Sequence, residues 1–323
     1  MENKLVSPNP HIHSKDSTAS LMRDVIIALA PVMVLSVLYY GWSALLLLAL
    51  GAGFCVLLEW AIAKWMMRKP ALFCPSAATL TGLLLALNMP PSTPWWTVLI
   101  GAVVAIGVAK MSFGGMGQNV FNPAITGRVF LLVSFPQQLT TWEIPKGFIG
   151  GGLDAVSGST LLSQVKLEGA SSVAGLDLFK TFLLNPGGSL GEISGLALLA
   201  GFVYLLCRKV VKPWITLSIF ATVAVLSSIF HLCNPEMFTG PAFNLVAGGL
   251  ILGACFMATD YVTSPMSDWG GVVFGVGIGL IVMMIRYFGS YPEGVSFAIL
   301  LMNMTVPLID RAFHRKKFGY GRA

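Results

Sequence analysis

The chain has 323 residues, of which 55% are hydrophobic and 11% charged, with a formal net charge of +6. Soluble domains carry about a quarter charged residues, so this composition excludes an ordinary water-soluble domain. Apolar runs of about 17–25 residues recur, the length a helix needs to cross a bilayer, and the Lys and Arg residues cluster between them, which reads as membrane topology rather than a nucleic-acid surface.

Residues 1–23 form a polar arm with His11 and His13 two apart. Two histidines without further ligands do not make a metal site. The first apolar run opens on Arg23 and Asp24 and ends in Tyr39-Tyr40-Gly41-Trp42. It lacks a small-residue cleavage site and reads as an uncleaved helix rather than a signal peptide. Ten spans are expected, at about 24–40, 43–65, 76–89, 95–111, 123–135, 189–207, 213–231, 242–259, 269–288 and 294–310. The third and fifth are short for full crossings and suggest broken or strongly tilted helices.

With the N-terminus in the cytoplasm, most of the 20 basic residues fall inside, among them Arg68, Lys69, Lys110, Arg208, Lys209 and the tail from Arg311. Ten spans therefore satisfy the positive-inside rule with both termini cytoplasmic and 136–188 outside. The first block, 24–135, and the second, 189–310, echo each other. Each has a short apolar run, a Pro/Ser/Thr break (Pro90-Pro91-Ser92-Thr93-Pro94; Thr263-Ser264-Pro265) and then a Gly-rich helix. Five spans per block make the two inverted repeats. The expected fold is an all-α integral membrane protein of ten transmembrane helices in two inverted five-helix repeats, with a basic tail at 311–323. Gly271, Gly275 and Gly279 lie inside an apolar helix, where close helix packing is the reading.

Five cysteines, none in a CxxC pair, describe neither a disulfide framework nor an iron–sulfur site within one chain. Gly114-Gly115-Met116-Gly117-Gln118-Asn119-Val120-Phe121-Asn122-Pro123 joins the fourth and fifth spans. Glycines such as Gly115 let a backbone approach a flat ligand, and Asn119 and Asn122 offer donor and acceptor groups to an isoalloxazine edge. The same residues also read as an Asn cap followed by Pro at the first helical position. Arg128, inside the fifth span, calls for a phosphate or carboxylate partner. Asp24, Glu59, Glu192, Asp260 and Asp310 lie near span ends, where solvation is the simplest account.

The long polar segment contains Asp154-Ala155-Val156-Ser157-Gly158-Ser159-Thr160, small, hydroxyl-rich and suited to an open loop. It resembles the flavinylation motif Asp-x-x-Ser-Gly-Ala-Thr of membrane redox proteins, with Ser159 where the motif usually has Ala. With the Phe121-Asn122-Pro123-Ala124 and Phe256-Met257-Ala258-Thr259-Asp260 segments, the whole chain resembles the RnfD family, the D components of the Rnf complex, an ion-translocating ferredoxin:NAD oxidoreductase. More distantly it is similar to NqrB, the B component of the sodium-pumping NADH:quinone reductase. The resemblance implies FMN held on Thr160 through a phosphoester, attached by a flavin transferase that reads Asp154, Ser157 and Gly158. It implies a non-covalent riboflavin near Asn119 and Asn122 on the cytoplasmic side. It further implies partner subunits with iron–sulfur clusters and flavins, coupled movement of Na+ or H+, and a place in the cytoplasmic membrane of a bacterium or archaeon. The alternative class is a secondary transporter or channel without redox chemistry, to which inverted repeats are equally suited.

Overall fold

The computed structural model describes residues 17–145, 153–173, 175–185 and 187–313. His11, His13 and most of the basic tail lie outside these. Every predicted apolar run is helical over most of its length. Helix α1 (Thr18–Tyr40) starts at Ser17, whose hydroxyl accepts from Ser20 N–H, and stops at Gly41, whose φ of 65° no helix continues through. Then follow α2 (Trp42–Met66), α3 (Pro75–Leu87), α4 (Trp95–Met111) and α5 (Pro123–Ser134). After the polar segment come α9 (Gly195–Cys207), α10 (Trp214–Cys233), α13 (Asp268–Phe288) and α14 (Val295–Ala312). Helices α1, α2, α10, α13 and α14 are long and apolar enough to cross a membrane; α3, α4, α5 and α9 are shorter apolar helices.

The predicted 242–259 span is interrupted. Helix α11 (Pro241–Val246) ends, Gly248 turns the chain with φ 75°, and α12 (Leu250–Leu252) runs on into a π-helical turn at Gly253–Met257. Further π turns close α2 (Ile62–Met66) and α4 (Val103–Met111). Such widened turns are uncommon and often mark functional sites.

The surface and interior fit a lipid solvent. Trp42, Trp65, Trp95, Trp214 and Trp269 are exposed, each at a helix end, as in an interfacial aromatic belt. Glycines bring backbones together inside. A Cβ on Gly82 would strike the Gly51 backbone of α2, and one on Gly275 the Ile215 carbonyl of α10. Gly271 and Gly279 face Ile215 and Thr222 in the same crossing, so the four-residue glycine repeat is a packing face. The apolar core, including Leu29, Leu85, Ile125, Leu198, Leu252 and Phe274, runs through both blocks.

The apolar spans are helical as expected, and the polar segment adds one short hairpin to them. Strands β1 (Trp142–Pro145) and β2 (Leu153–Gly158) pair antiparallel, with Trp142 opposite Gly158 and Glu143 opposite Ser157. Short helices α6 (Pro136–Thr140), α7 (Leu161–Glu168) and α8 (Leu178–Leu183) flank them. The motif expected in an open loop is therefore strand through Gly158, a link at Ser159 and a helix cap at Thr160. Alternating backbone pairing is available to Trp142-Glu143-Ile144 and Ala155-Val156-Ser157, whose aromatic and β-branched members favour strands.

The five cysteines are free; Cys55 and Cys255 are buried, Cys74 is half-buried, and Cys207 and Cys233 are exposed. No group of three metal-ligating side chains occurs among the described residues.

Candidate functional site

Two cavities lie at opposite ends of α5 and α9. The first is at the hairpin end. Thr160 is half-buried and caps α7: its Oγ1 accepts from Ser163 N–H at 3.2 Å and lies 2.7 Å from Ser163 Oγ. It borders a cavity of about 820 Å³, open mouth included, with Trp142, Tyr291 and Phe297 among its walls. Tyr291 and Phe297 stack at 5.2 Å between ring centroids. Ser159 is exposed beside it.

Arg128 reaches this cavity from α5. Its Nη1 donates to Asn88 Oδ1 and its Nη2 to Glu293 Oε2, both at 2.7 Å. Glu293 Oε1 accepts from Gly249 N–H at 2.5 Å, at the start of α12. A Cβ on Gly249 would stand 2.5 Å from Glu293 Oε1 and 3.5 Å from Glu192 Oε1, so the two carboxylates close on one α-carbon. Glu192 sits in a 3-10 turn, Leu190–Glu192, fixed by Ser36 Oγ donating to Leu190 O and by Leu190 N–H donating to Met89 O. Ser189 Oγ donates to Glu192 Oε1 at 2.7 Å. Arg286 caps the broken helix, donating to Asn244 O at 2.6 Å and Ala247 O at 2.9 Å.

Burial pushes the Glu293 carboxyl up, but Arg128 and Arg286, with the bonds from Arg128 and Gly249, outweigh it and hold Glu293 below the usual carboxylate range. Partial burial lowers the Lys166 ammonium, which donates to Tyr291 O at 2.7 Å and ties α7 to the cavity wall.

The second cavity, at the end that carries Lys110, has about 800 Å³ of free space with its mouth. Asn119, Asn122 and Gly117 line it with Lys110, Asp260 and the apolar Phe256. Nearby, Lys110 Nζ donates to Glu59 Oε2 at 2.6 Å, and Glu59 Oε1 accepts from Cys74 N–H at the start of α3.

The predicted residues divide accordingly. Asn119 lines the second cavity and donates from Nδ2 to Phe121 O. Asn122 lines it as well, but its side chain is committed: Oδ1 caps α5 by accepting from Ala124 and Ile125 N–H, and Nδ2 donates to Met257 O. Gly115 is not on the cavity wall; its φ of 99° serves the turn. Arg128 is at the other end, with Thr160. Asp154, Ser157 and Gly158 belong to β2. The solvation account of the acidic residues fails for Glu59, Glu192 and Asp24. Glu59 is fully buried against Lys110, Glu192 is buried in its turn, and Asp24 pairs with Arg208 at 3.1 Å. Glu293 and Arg286 carry the hairpin-end cluster, and the sequence singled out neither. The clue was the demand of Arg128 for a carboxylate partner within the membrane.

Buried ion pairs, interrupted helices and two cavities at opposite ends are the parts of a membrane transport or electron-transfer protein. Residues 5–319 match the NQR2, RnfD, RnfE family, and the chain belongs to that family. It is 40% identical to the D component of the ion-translocating oxidoreductase complex of Stutzerimonas stutzeri, covering 94% of this chain and 93% of the relative. It is 41% identical to the D component of the Na(+)-translocating ferredoxin:NAD(+) oxidoreductase complex of Acetobacterium woodii, covering 98% and 96%. It is 40% identical to the D component of the proton-translocating ferredoxin:NAD(+) oxidoreductase complex of Clostridium ljungdahlii, again over 98% and 96%.

Proposed function

We propose that this chain is the membrane-embedded D component of an ion-translocating ferredoxin:NAD oxidoreductase, assembled with the other subunits of that complex, with FMN held as a phosphoester on Thr160. Near-full-length likeness to proteins so named supports the first part. One observation carries the second: the motif threonine caps α7 at the edge of an open cavity walled by Trp142, Tyr291 and Phe297, flat side chains of the kind an isoalloxazine packs against.

The residues present fit the group. An ester phosphate on Thr160 Oγ1 would lie at the N-terminus of α7, where first-turn N–H groups and the helix dipole favour an anion, with the Ser163 hydroxyl as a further donor. Trp142, Tyr291 and Phe297 offer flat apolar walls, and Arg128 brings positive charge to the cavity. The flavin supplies reversible electron uptake; the protein supplies its placement and its electrostatic surroundings. A flavin transferase reading Asp154, Ser157 and Gly158 would attach it. A second flavin, riboflavin, is assigned to the Lys110-end cavity, where Asn119 offers the hydrogen-bonding edge. Asn122 contributes the cavity wall through the α5 cap rather than a free amide.

The ten-span inverted repeat with both termini cytoplasmic belongs to the same reading. A pair of matched carboxylate contacts supports it. Glu59 accepts the Cys74 N–H at the start of α3 beside Lys110; Glu293 accepts the Gly249 N–H at the start of α12 beside Arg286. In both blocks a carboxylate therefore meets the N-terminus of a short helix near a cation from the helix that follows. In this reading the two sites lie on opposite membrane faces, Thr160 outside and Asn119 inside.

The test is in-gel fluorescence of the denatured protein, expressed with the transferase. A fluorescent band that Thr160→Ala abolishes is the expected result. A dark wild-type band overturns the flavin assignment and leaves the non-redox transporter reading.

A further inference from the structure

At the hairpin end, two carboxylates face two guanidiniums in a wall with little access to water. Glu293 is committed on both oxygens, to Arg128 Nη2 and to Gly249 N–H. Arg128 Nη1 is taken by Asn88 and the Arg286 Nη atoms by the carbonyls of Asn244 and Ala247, while the buried Arg286 Nε bonds to no described residue. Glu192 receives none of these guanidinium bonds. It is 9% exposed, its side chain accepts from the Ser189 hydroxyl, and it lines the same cavity as Thr160. Among the described residues, the charged and titratable groups facing it are Glu293, Arg128, Arg286 and Tyr40. Of Glu192 and Glu293, Glu192 is the one without a direct cationic bond among the described residues.

We propose that Glu192 is the proton acceptor of this cavity, binding one proton from the hairpin-side water when a flavin on Thr160 gains an electron and releasing it when that electron leaves. The inference rests on the flavin reading of Thr160. A new negative charge close to a carboxylate disfavours its ionised form, and more strongly in a wall of low dielectric than in water. The electron comes from a reduced iron–sulfur or flavin carrier of a partner subunit, which is oxidised by one electron as the flavin is reduced by one. The proton forms an O–H bond on a Glu192 oxygen, no covalent bond of the protein breaks, and the cavity keeps its net charge. The Ser189 hydroxyl, donor to the carboxylate, can rotate to accept from the acid. Electron arrival is thereby tied to proton uptake at one named side chain.

The test is a redox titration of the covalent flavin in the purified whole complex, followed by absorbance at a series of pH values across neutrality. One proton per electron moves the midpoint potential by about 59 mV for each tenfold change in proton activity. The wild type is expected to follow that slope, Glu192→Gln to lose it, and Glu192→Asp to keep it with the pH limits of the slope displaced. A pH-independent wild-type potential overturns the proposal without any variant. So does a Glu192→Gln complex with the wild-type slope. Should Glu192→Gln fail to assemble, Glu192→Asp decides: unmoved limits overturn the assignment to this residue. A wild-type chain without covalent flavin fails the fluorescence test first and removes the reading on which this one stands, so the two failures are told apart.

Discussion

Arg128 and Asn122 stand at one helix and show how far single letters reach. The sequence demanded an anionic partner for Arg128 but could not supply Glu293, which sits in the turn Tyr291-Pro292-Glu293-Gly294 and reads locally as solvated loop. Only the closure of α14 against α5 buries the pair. Removing one partner of a buried pair leaves the other charge uncompensated and typically costs about 3–5 kcal/mol. Arg128→Ala should therefore depress the thermal midpoint of the purified complex strongly, and Glu293→Gln less, because the amide still accepts from Gly249 N–H. Because Glu293 titrates below its unfolded value, about 4.3 for a free glutamate, the stabilisation from its charge is complete at neutral pH and is lost as pH falls through the lower folded value. Melting curves in acid should show a steeper loss for wild type than for Glu293→Gln. Asn122 was legible as a cap from Asn-Pro alone. Asn122→Ala should cost about 1–2 kcal/mol of stability through the lost cap and the lost bond to Met257 O. Asn119→Leu should leave the fold intact and remove a dissociable flavin from the extract while the covalent one stays; unchanged flavin content would place that ligand elsewhere.

Among the elements, the apolar helices were legible because their length and hydrophobicity are properties of the local sequence. The interruption at 247–249 is carried by Gly248-Gly249, which a run-length reading passes over because flanking Leu and Ile keep the window apolar. The hairpin was hidden for the opposite reason: its strands are short, and their pairing joins residues on either side of a Gly-rich run. Helix crossings make a sharper test. Gly51 and Gly53 are two residues apart on α2, yet a Cβ on Gly51 would meet the Gly82 carbonyl and Ala86, while one on Gly53 meets open space. Gly53→Ala should be neutral or stabilising by up to about 1 kcal/mol through helix propensity. Gly82→Leu should abolish monodisperse protein, because backbone rather than a movable side chain fills the space. Equal behaviour of the two variants in size-exclusion profiles would contradict the close α2–α3 crossing.

The whole molecule places two cavities at the two ends of a helical bundle. Along α5 the wall of the Lys110-end cavity reaches Ala124 and that of the hairpin-end cavity begins at Arg128, about 6 Å apart at 1.5 Å per residue. An aromatic and cationic chamber with the motif threonine lies at one end, and a more apolar cleft with Asn119 at the other. Charge counting assigns the hairpin end to the outside and the Lys110 end to the cytoplasm, and labelling tests that assignment. A single cysteine at Ser159 in a cysteine-free background should react with a membrane-impermeant thiol reagent from outside intact cells, and one at Ser112 only after permeabilisation. The claim on which the rest depends is the covalent flavin. Mass spectrometry of the peptide containing Thr160, from protein made together with the transferase, tests it most directly. The account predicts a mass increase of one FMN less water, localised to Thr160 by fragmentation and absent from Thr160→Ala. An unmodified Thr160 peptide, or a flavin found on another residue, would contradict it.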